Sequence, residues 1–386
     1  MLSRPGNIDV WVLAGQSNMQ GVGELAGALP PDERVWNFTS AGKWEIAEEP
    51  LHRLWESCTP IHQALMRGGQ TEEQRGISDA EMAAEDAKRH WGSTIGIAFG
   101  KVMANELGRP IGLISAAHGG TSLDQWSPDL KDKGGDSLYG AMLQRIVMAG
   151  GNLRGVLWYQ GESDAWDTPT AITYADRFIN WVERLRADLN KPDLPVLTVQ
   201  IGNVVLSSVK ESAWNIVRHQ QYDVPDRIAR VTVTPTVDLT LEDCIHISAP
   251  DLIRLGHRMA RQALALTENA PLSTGPRIAK IVSMPKNPKF LDRAESRITF
   301  TGVTGGWNPT DHIAGFSIYD ANGETIPDNY VYRIYRDRED PTAIILRTNL
   351  PLRSGDLVGY GQGINPYCNA ADDADMGLCA FLIPVE

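Results

Sequence analysis

The stretch VWVLAGQSNMQG, residues 10–21, decides how the rest of this chain is read. Residues 10–14 are apolar and β-prone, and the run stops abruptly at Gly15, where polar side chains take over. This pattern predicts a buried strand ending in a tight turn, with a helix starting near Ser17. Open α/β folds hold their ligands at the carboxyl ends of the strands, so the turn places Ser17 where a ligand would lie. Two readings of Ser17 stay open at this point. Serine is a preferred helix N-cap. It is also a nucleophile, set beside backbone N–H groups that a helix start leaves free to face a developing oxyanion.

Outward from this turn the same unit recurs. Apolar runs at 111–117, 155–159, 195–201 and 229–237 read as further strands. Helical spacing marks 94–108, 138–149, 174–189, 213–223 and 251–266. Alternation of this kind predicts an α/β fold, a parallel sheet with helices on both faces. Polar clusters follow three of these strands: His118-Gly119-Gly120-Thr121-Ser122, then Gln160-Gly161-Glu162-Ser163, then, in the loop after the last, Asp243 to His246. All of them therefore fall at one edge of the sheet. Between the first two strands, 23–60 reads as short strands and loops (VWNF at 35–38, then 44–54) passing over that edge. The polar segment 61–92, with a helix near 79–91, reads as a solvated surface insertion or as a lid over the cleft. Beyond residue 270 the pattern changes to short β-type runs broken by prolines, with DANGE (320–324) as a hairpin signal. The expected division is an α/β domain over 1–270 and a small all-β, sandwich-like domain over 271–386.

At 386 residues the chain has room for two domains, and its 42% hydrophobic and 22% charged content is that of a globular protein. An excess of 48 acidic over 36 basic residues, net charge −12, argues against nucleic acid or an anionic membrane as the main partner. No apolar run approaches the length of a spanning helix. The N-terminal MLSRPGNID lacks a signal-peptide core, so a cytoplasmic protein, or one whose leader has been removed, is expected. Cys58, Cys244, Cys368 and Cys379 form no CxxC pair, which argues against a thiolate zinc site; Cys368 and Cys379 are close enough in sequence to pair in an oxidising compartment. Neither metal nor cofactor is expected. Eleven tryptophans suit a cleft for flat, partly apolar ligands such as sugars.

Ester hydrolysis by a serine enzyme needs a nucleophile, a base, an acid that orients the base, and oxyanion donors. Ser17 is the candidate nucleophile. His246 is the histidine best placed as base, with Asp243 three residues before it as the orienting acid. The backbone N–H groups of Ser17 and Gly120 and the side-chain amide of Gln160 are the candidate donors. Gln16, Glu162, His118 and Trp126 are expected to support the site or touch substrate. Glu162 reads as a second acid partner of His246 or as a structural carboxylate tying loops together, and His118 as a turn histidine lining the cleft. Trp126, Trp158 and Trp166 are candidates for a sugar platform, although Trp158 ends a buried strand and suits the core equally well.

The blocks GQSNM (15–19), GGTSLDQW (119–126), WYQGESDA (158–165) and DCIHIS (243–248), in that order, resemble the SGNH hydrolase superfamily, and more narrowly its sialate O-acetylesterase and acetylxylan esterase branch. The closing NPYCN…GLCAFLIP is similar to the end of sialate O-acetylesterase-type proteins. The resemblance implies an SGNH-type (flavodoxin-like) catalytic domain. It also implies a metal-independent O-acetylesterase acting on acetylated carbohydrate of the sialic acid or xylan type, with Ser17, His246 and Asp243 as its triad and Gly120 and Gln160 as oxyanion donors. Two features depart from the pattern, His118 in AAHGGT and the polar segment 61–92. A catalytically silent carbohydrate-binding protein and an esterase or lipase for longer acyl chains are the rival readings.

Overall fold

All seven residues of β1 (Asp9–Gly15) are buried, as their apolar run requires. The computed structural model describes residues 5–70, 74–268, 270–285 and 293–386. Residues 1–4 of the N-terminal stretch, 71–73 of the polar segment and Pro288 of the tail lie outside the described residues. The further strands of the first part of the chain are β2 (Gly23–Glu24), β3 (Val35–Phe38), β4 (Trp44–Ile46), β5 (Trp91–Ser93), β6 (Ile111–Ser115), β7 (Asn152–Tyr159), β8 (Val196–Val199) and β9 (Val231–Thr234). The α-helices are α1 (Ser17–Gln20), α2 (Pro60–Gly68), α3 (Asp79–Asp86), α4 (Gly96–Leu107), α5 (Leu138–Ala149), α6 (Thr168–Ala171), α7 (Tyr174–Asp188), α8 (Glu211–Arg227) and α9 (Ala249–Thr267).

Seven strands form one sheet in the order β4-β3-β6-β1-β7-β8-β9. Every neighbouring pair is parallel except β3 and β4, so the sheet is mixed, with one antiparallel edge strand. The expected parallel sheet with flanking helices is present, with one antiparallel edge strand added. One expectation is corrected: VWNF does not pass over the active edge but is β3, buried along its whole length and hydrogen-bonded to β6. Side-chain alternation explains the helices on both faces. Trp11 packs edge-on against Phe99 of α4. Trp158, register partner of Ala14 and so on the opposite face, packs with tilted rings against Phe178 and Trp181 of α7.

β1 lies at the centre of the sheet, between β6 and β7, and its end is sharply constrained. Gly15 has φ +126°, and a Cβ there would lie 2.1 Å from the carbonyl oxygen of Tyr159. Only glycine fits this turn. Gly15→Ala is expected to lower stability by about 2–5 kcal/mol, the combined cost of a strained backbone and a clash. Urea unfolding would read this as a lower midpoint, and an unchanged midpoint would contradict the position given to Gly15.

After α9 the chain becomes all-β. Residues 277–283, 294–301, 344–348 and 331–336 form one antiparallel sheet; 316–319, 357–360 and 381–384 form another. The two share an apolar core that includes Ile298, Leu346, Val358 and Phe381. DANGE is a tight turn, closed by a bridge between Tyr319 and Thr325. The tail is pinned to the first sheet and its helices. The buried Gln200 amide donates to Ala380 O (2.9 Å), and Arg218 of α8 reaches Gly361 O (3.0 Å). The cysteine pairing left open by the spacing does not occur. All four cysteines carry free thiols, and burial pushes the Cys368 and Cys379 thiols up to about 12.

Candidate active site

The turn after β1 places Ser17 at the start of the one-turn helix α1, and Ser17 Oγ lies 2.9 Å from His246 Nε2. His246 Nδ1 lies 2.6 Å from Asp243 Oδ2. A carboxylate can only accept, so this contact assigns the proton to Nδ1 and leaves Nε2 free to accept from the Ser17 hydroxyl. Asp243 is itself held by its own loop, Oδ1 accepting from the N–H groups of Ile245 (2.8 Å) and His246 (2.9 Å). Burial alone would raise the Asp243 pKa. The hydrogen bonds from the His246 ring and from these two N–H groups outweigh it and hold the carboxyl below its usual range. A hydroxyl, an imidazole and a carboxylate in line at these distances form a relay that can take a proton from the hydroxyl and return it.

The glycine turn after β6 is fitted against the serine. Gly119 N–H donates to Gln20 Oε1 of α1 (2.7 Å), and a Cβ on Gly119 would meet Ser17 Cβ at 3.3 Å. Among the described residues no acceptor meets the N–H of Ser17 or of Gly120, and both residues line the cleft that holds the relay. Two free N–H groups beside a hydroxyl nucleophile suit a developing oxyanion.

Gln160 does not join them. Its amide nitrogen donates to Asp164 Oδ2 (2.6 Å) and Thr121 O (3.1 Å), and the side chain is fully buried away from the cleft. Asp164, also bound by Leu123 N–H and Arg177, takes up the donor that an oxyanion would need. His118 is another correction. Instead of lining the cleft it is buried beneath it, Nδ1 to Nδ1 with His62 of α2 at 2.9 Å, and burial lowers its pKa to about 4. Trp126 and Trp158 are core residues, in edge-on contact at 5.3 Å; only Trp166 of the three candidate tryptophans reaches the cleft, 40% exposed. Gln16 lines the cleft and accepts from Ser163 N–H (3.2 Å).

Glu162 occupies the floor of the cleft at 1% exposure, with Oε1 accepting from the Asn18 amide (2.8 Å). Burial raises its pKa, while the Asn18 bond opposes this. Glu162 makes no hydrogen bond to His246, so of its two expected roles the loop-tying one matches the contacts. Asn18, which the sequence reading quoted but did not assign, completes the tie: its Oδ1 accepts from Ile247 N–H (3.0 Å). One amide thus fastens the serine turn to both the Glu162 loop and the His246 loop. Trp91 and His90 were also missed. The expected helix over 79–91 stops at Asp86, and the chain turns into β5, which pairs with β2; Trp91 opens that strand and His90 precedes it, and both line the cleft. The segment 61–92 therefore builds part of the site, and the tryptophan ending a charged run was the available signal.

The cleft has a volume of about 730 Å³. Residues 7–265 match the family model described as carbohydrate esterase, sialic acid-specific acetylesterase. The chain is 26% identical over 280 residues to a protein named as a probable carbohydrate esterase of Arabidopsis thaliana, covering 66% of this chain and 90% of that one. A crystal structure of a carbohydrate acetylesterase from Xanthomonas citri superposes with a TM-score of 0.67 at 20% identity, covering 97% of this chain and 80% of the other. An Arabidopsis thaliana protein structure superposes at TM-score 0.51 and 25% identity, covering 68% and 99%.

Proposed function

Because the chain belongs to the sialic acid-specific acetylesterase family of carbohydrate esterases and is an ester hydrolase, we propose that it removes O-acetyl groups from sugars through Ser17, His246 and Asp243. The observation that carries this reading is the continuous contact from Asp243 through His246 to Ser17 at 2.6 and 2.9 Å, in a loop cluster drawn from residues 229 apart.

Ser17 Oγ attacks the acetyl carbonyl carbon as its proton passes to His246 Nε2. Asp243 steadies the imidazolium that forms. The oxygen of the tetrahedral intermediate rests on the N–H groups of Ser17 and Gly120. As the intermediate collapses, His246 gives the proton to the departing sugar oxygen, and the acetyl group is left esterified to Ser17 Oγ. Water, deprotonated by the same imidazole, then attacks the acetyl carbonyl, and acetate leaves as the proton returns to Ser17 Oγ. Each step uses this chain's own groups. The partner in this reading is an acetylated carbohydrate, and the division of the chain near residue 270 separates this machinery from the β-rich tail that braces it.

A panel of acetylated glycans and of p-nitrophenyl esters of increasing chain length tests the reading by acetate and p-nitrophenol release. The expected result is release from acetyl esters that declines as the acyl chain lengthens. A preference for long acyl chains would favour a lipase, and silence from folded protein would favour a binding protein.

A further inference from the structure

The charge of the cleft is one-sided. Glu24, Glu162, Glu242 and Asp243 line it, and among the described residues no lysine or arginine does. Glu242 is fixed there, its Oε2 accepting from the N–H groups of Glu24 (3.1 Å) and Ala249 (3.0 Å). Arg89 stacks on Trp91 at 4.7 Å, but its guanidinium is spent on Asp86 and on His52 O, outside the cleft. Two indoles, Trp91 and Trp166, are present among these carboxylates.

A second observation is independent of charge. Among the described residues Glu162 Oε2 has no hydrogen-bond partner and is buried, although Glu162 lines the cleft. A buried carboxyl oxygen left unpaired is costly, so this one is an acceptor waiting for a donor. A sugar hydroxyl, on a neutral or an acidic sugar alike, supplies such a donor, so this contact selects for a sugar and the charge of the lining selects among sugars.

Resting on the acetylesterase reading above, we propose that this cleft takes uncharged O-acetylated sugars and rejects those that carry a carboxylate. In this proposal Glu162 Oε2 accepts a hydroxyl of the bound sugar, and Trp91 and Trp166 offer faces to its ring. The family description names an acidic sugar, and the lining of this chain's cleft is electrostatically unsuited to one. Like charges several ångströms apart in a half-enclosed cleft weaken binding by roughly tenfold or more, and added salt screens the effect.

The test compares kcat/KM for an O-acetylated sialic acid with that for its C1 carboxamide, which has the same shape without the charge, alongside an acetylated methyl xyloside and p-nitrophenyl acetate. The carboxamide is expected to exceed the acid by about tenfold. High salt and Glu24→Gln, a change at an exposed side chain, should each narrow that gap. Equal constants for acid and carboxamide, with p-nitrophenyl acetate hydrolysed, overturn the charge selection alone. No Ser17-dependent release from any ester overturns the acetylesterase reading beneath it. Glu162→Gln should raise KM for the xyloside several-fold more than for p-nitrophenyl acetate; an unchanged ratio overturns the hydroxyl contact.

Discussion

Ser17→Ala is expected to lower kcat for acetyl esters by roughly ten-thousand-fold or more while leaving the fold intact, because among the described residues no other hydroxyl of the cleft is hydrogen-bonded to His246. The side chain is half-buried, and among the described residues its hydroxyl meets only His246 Nε2, so removing one oxygen breaks no structural tie. Unfolding midpoints of variant and parent should agree within about 0.5 kcal/mol, as for substitutions away from packed or networked groups. The measurement is acetate release under saturating p-nitrophenyl acetate, with a urea melt run in parallel. Activity within tenfold of the parent would remove Ser17 from the mechanism.

The second large effect is Asp243→Asn, and the contacts make it a clean test. Asp243 Oδ1 accepts two backbone N–H groups, so an asparagine must keep its oxygen there and turn its NH₂ toward His246 Nδ1. A donor at that place forces the proton of neutral His246 onto Nε2. The imidazole then presents N–H to the Ser17 hydroxyl and cannot take its proton. The loop stays in place and the chemistry stops, with an expected loss in kcat of about a thousand- to ten-thousand-fold and little change in KM. Parental kcat in this variant would show that Asp243 only shapes the loop. A loss confined to KM would assign it to binding.

Much of this architecture was legible along the chain. Residues 10–14 announce a buried strand because apolar, β-prone side chains in unbroken succession can only be satisfied by cover on both faces. The order of turn clusters after strands led to Ser17, Gly120, Asp243 and His246, since each cluster lies in the loop that follows its strand and the sheet brings strand ends together. Asp243 and His246 were readable as a pair because three residues of loop keep them close whatever the rest of the chain does.

The misplaced residues fail for a shared reason: each depends on a competing partner from a distant segment. The Gln160 amide is a donor in any sequence, but Asp164, oriented by Leu123 N–H and Arg177, claims it before an oxyanion could. His118 looks like a cleft histidine until His62, 56 residues earlier, packs over it. VWNF reads as a loop strand until β6 offers it a hydrogen-bonding edge inside the sheet. Trp126 and Trp166 both lie near motifs, and only the packing of Trp158 against the first separates core from cleft.

By itself, then, the sequence determined the alternation of strands and helices, the loops that carry chemistry and the local Asp243–His246 pair, because hydrophobic period, turn residues and short spacing are properties of neighbouring residues. Only the tertiary structure decided which donors remain free, that Asn18 ties three loops together, that Trp91 joins Trp166 at the cleft, and that among the described residues no lysine or arginine lines it beside the carboxylates. Those outcomes depend on which far-off group reaches a side chain first, and hydrogen-bond capacity and charge balance are settled only where the chain closes on itself.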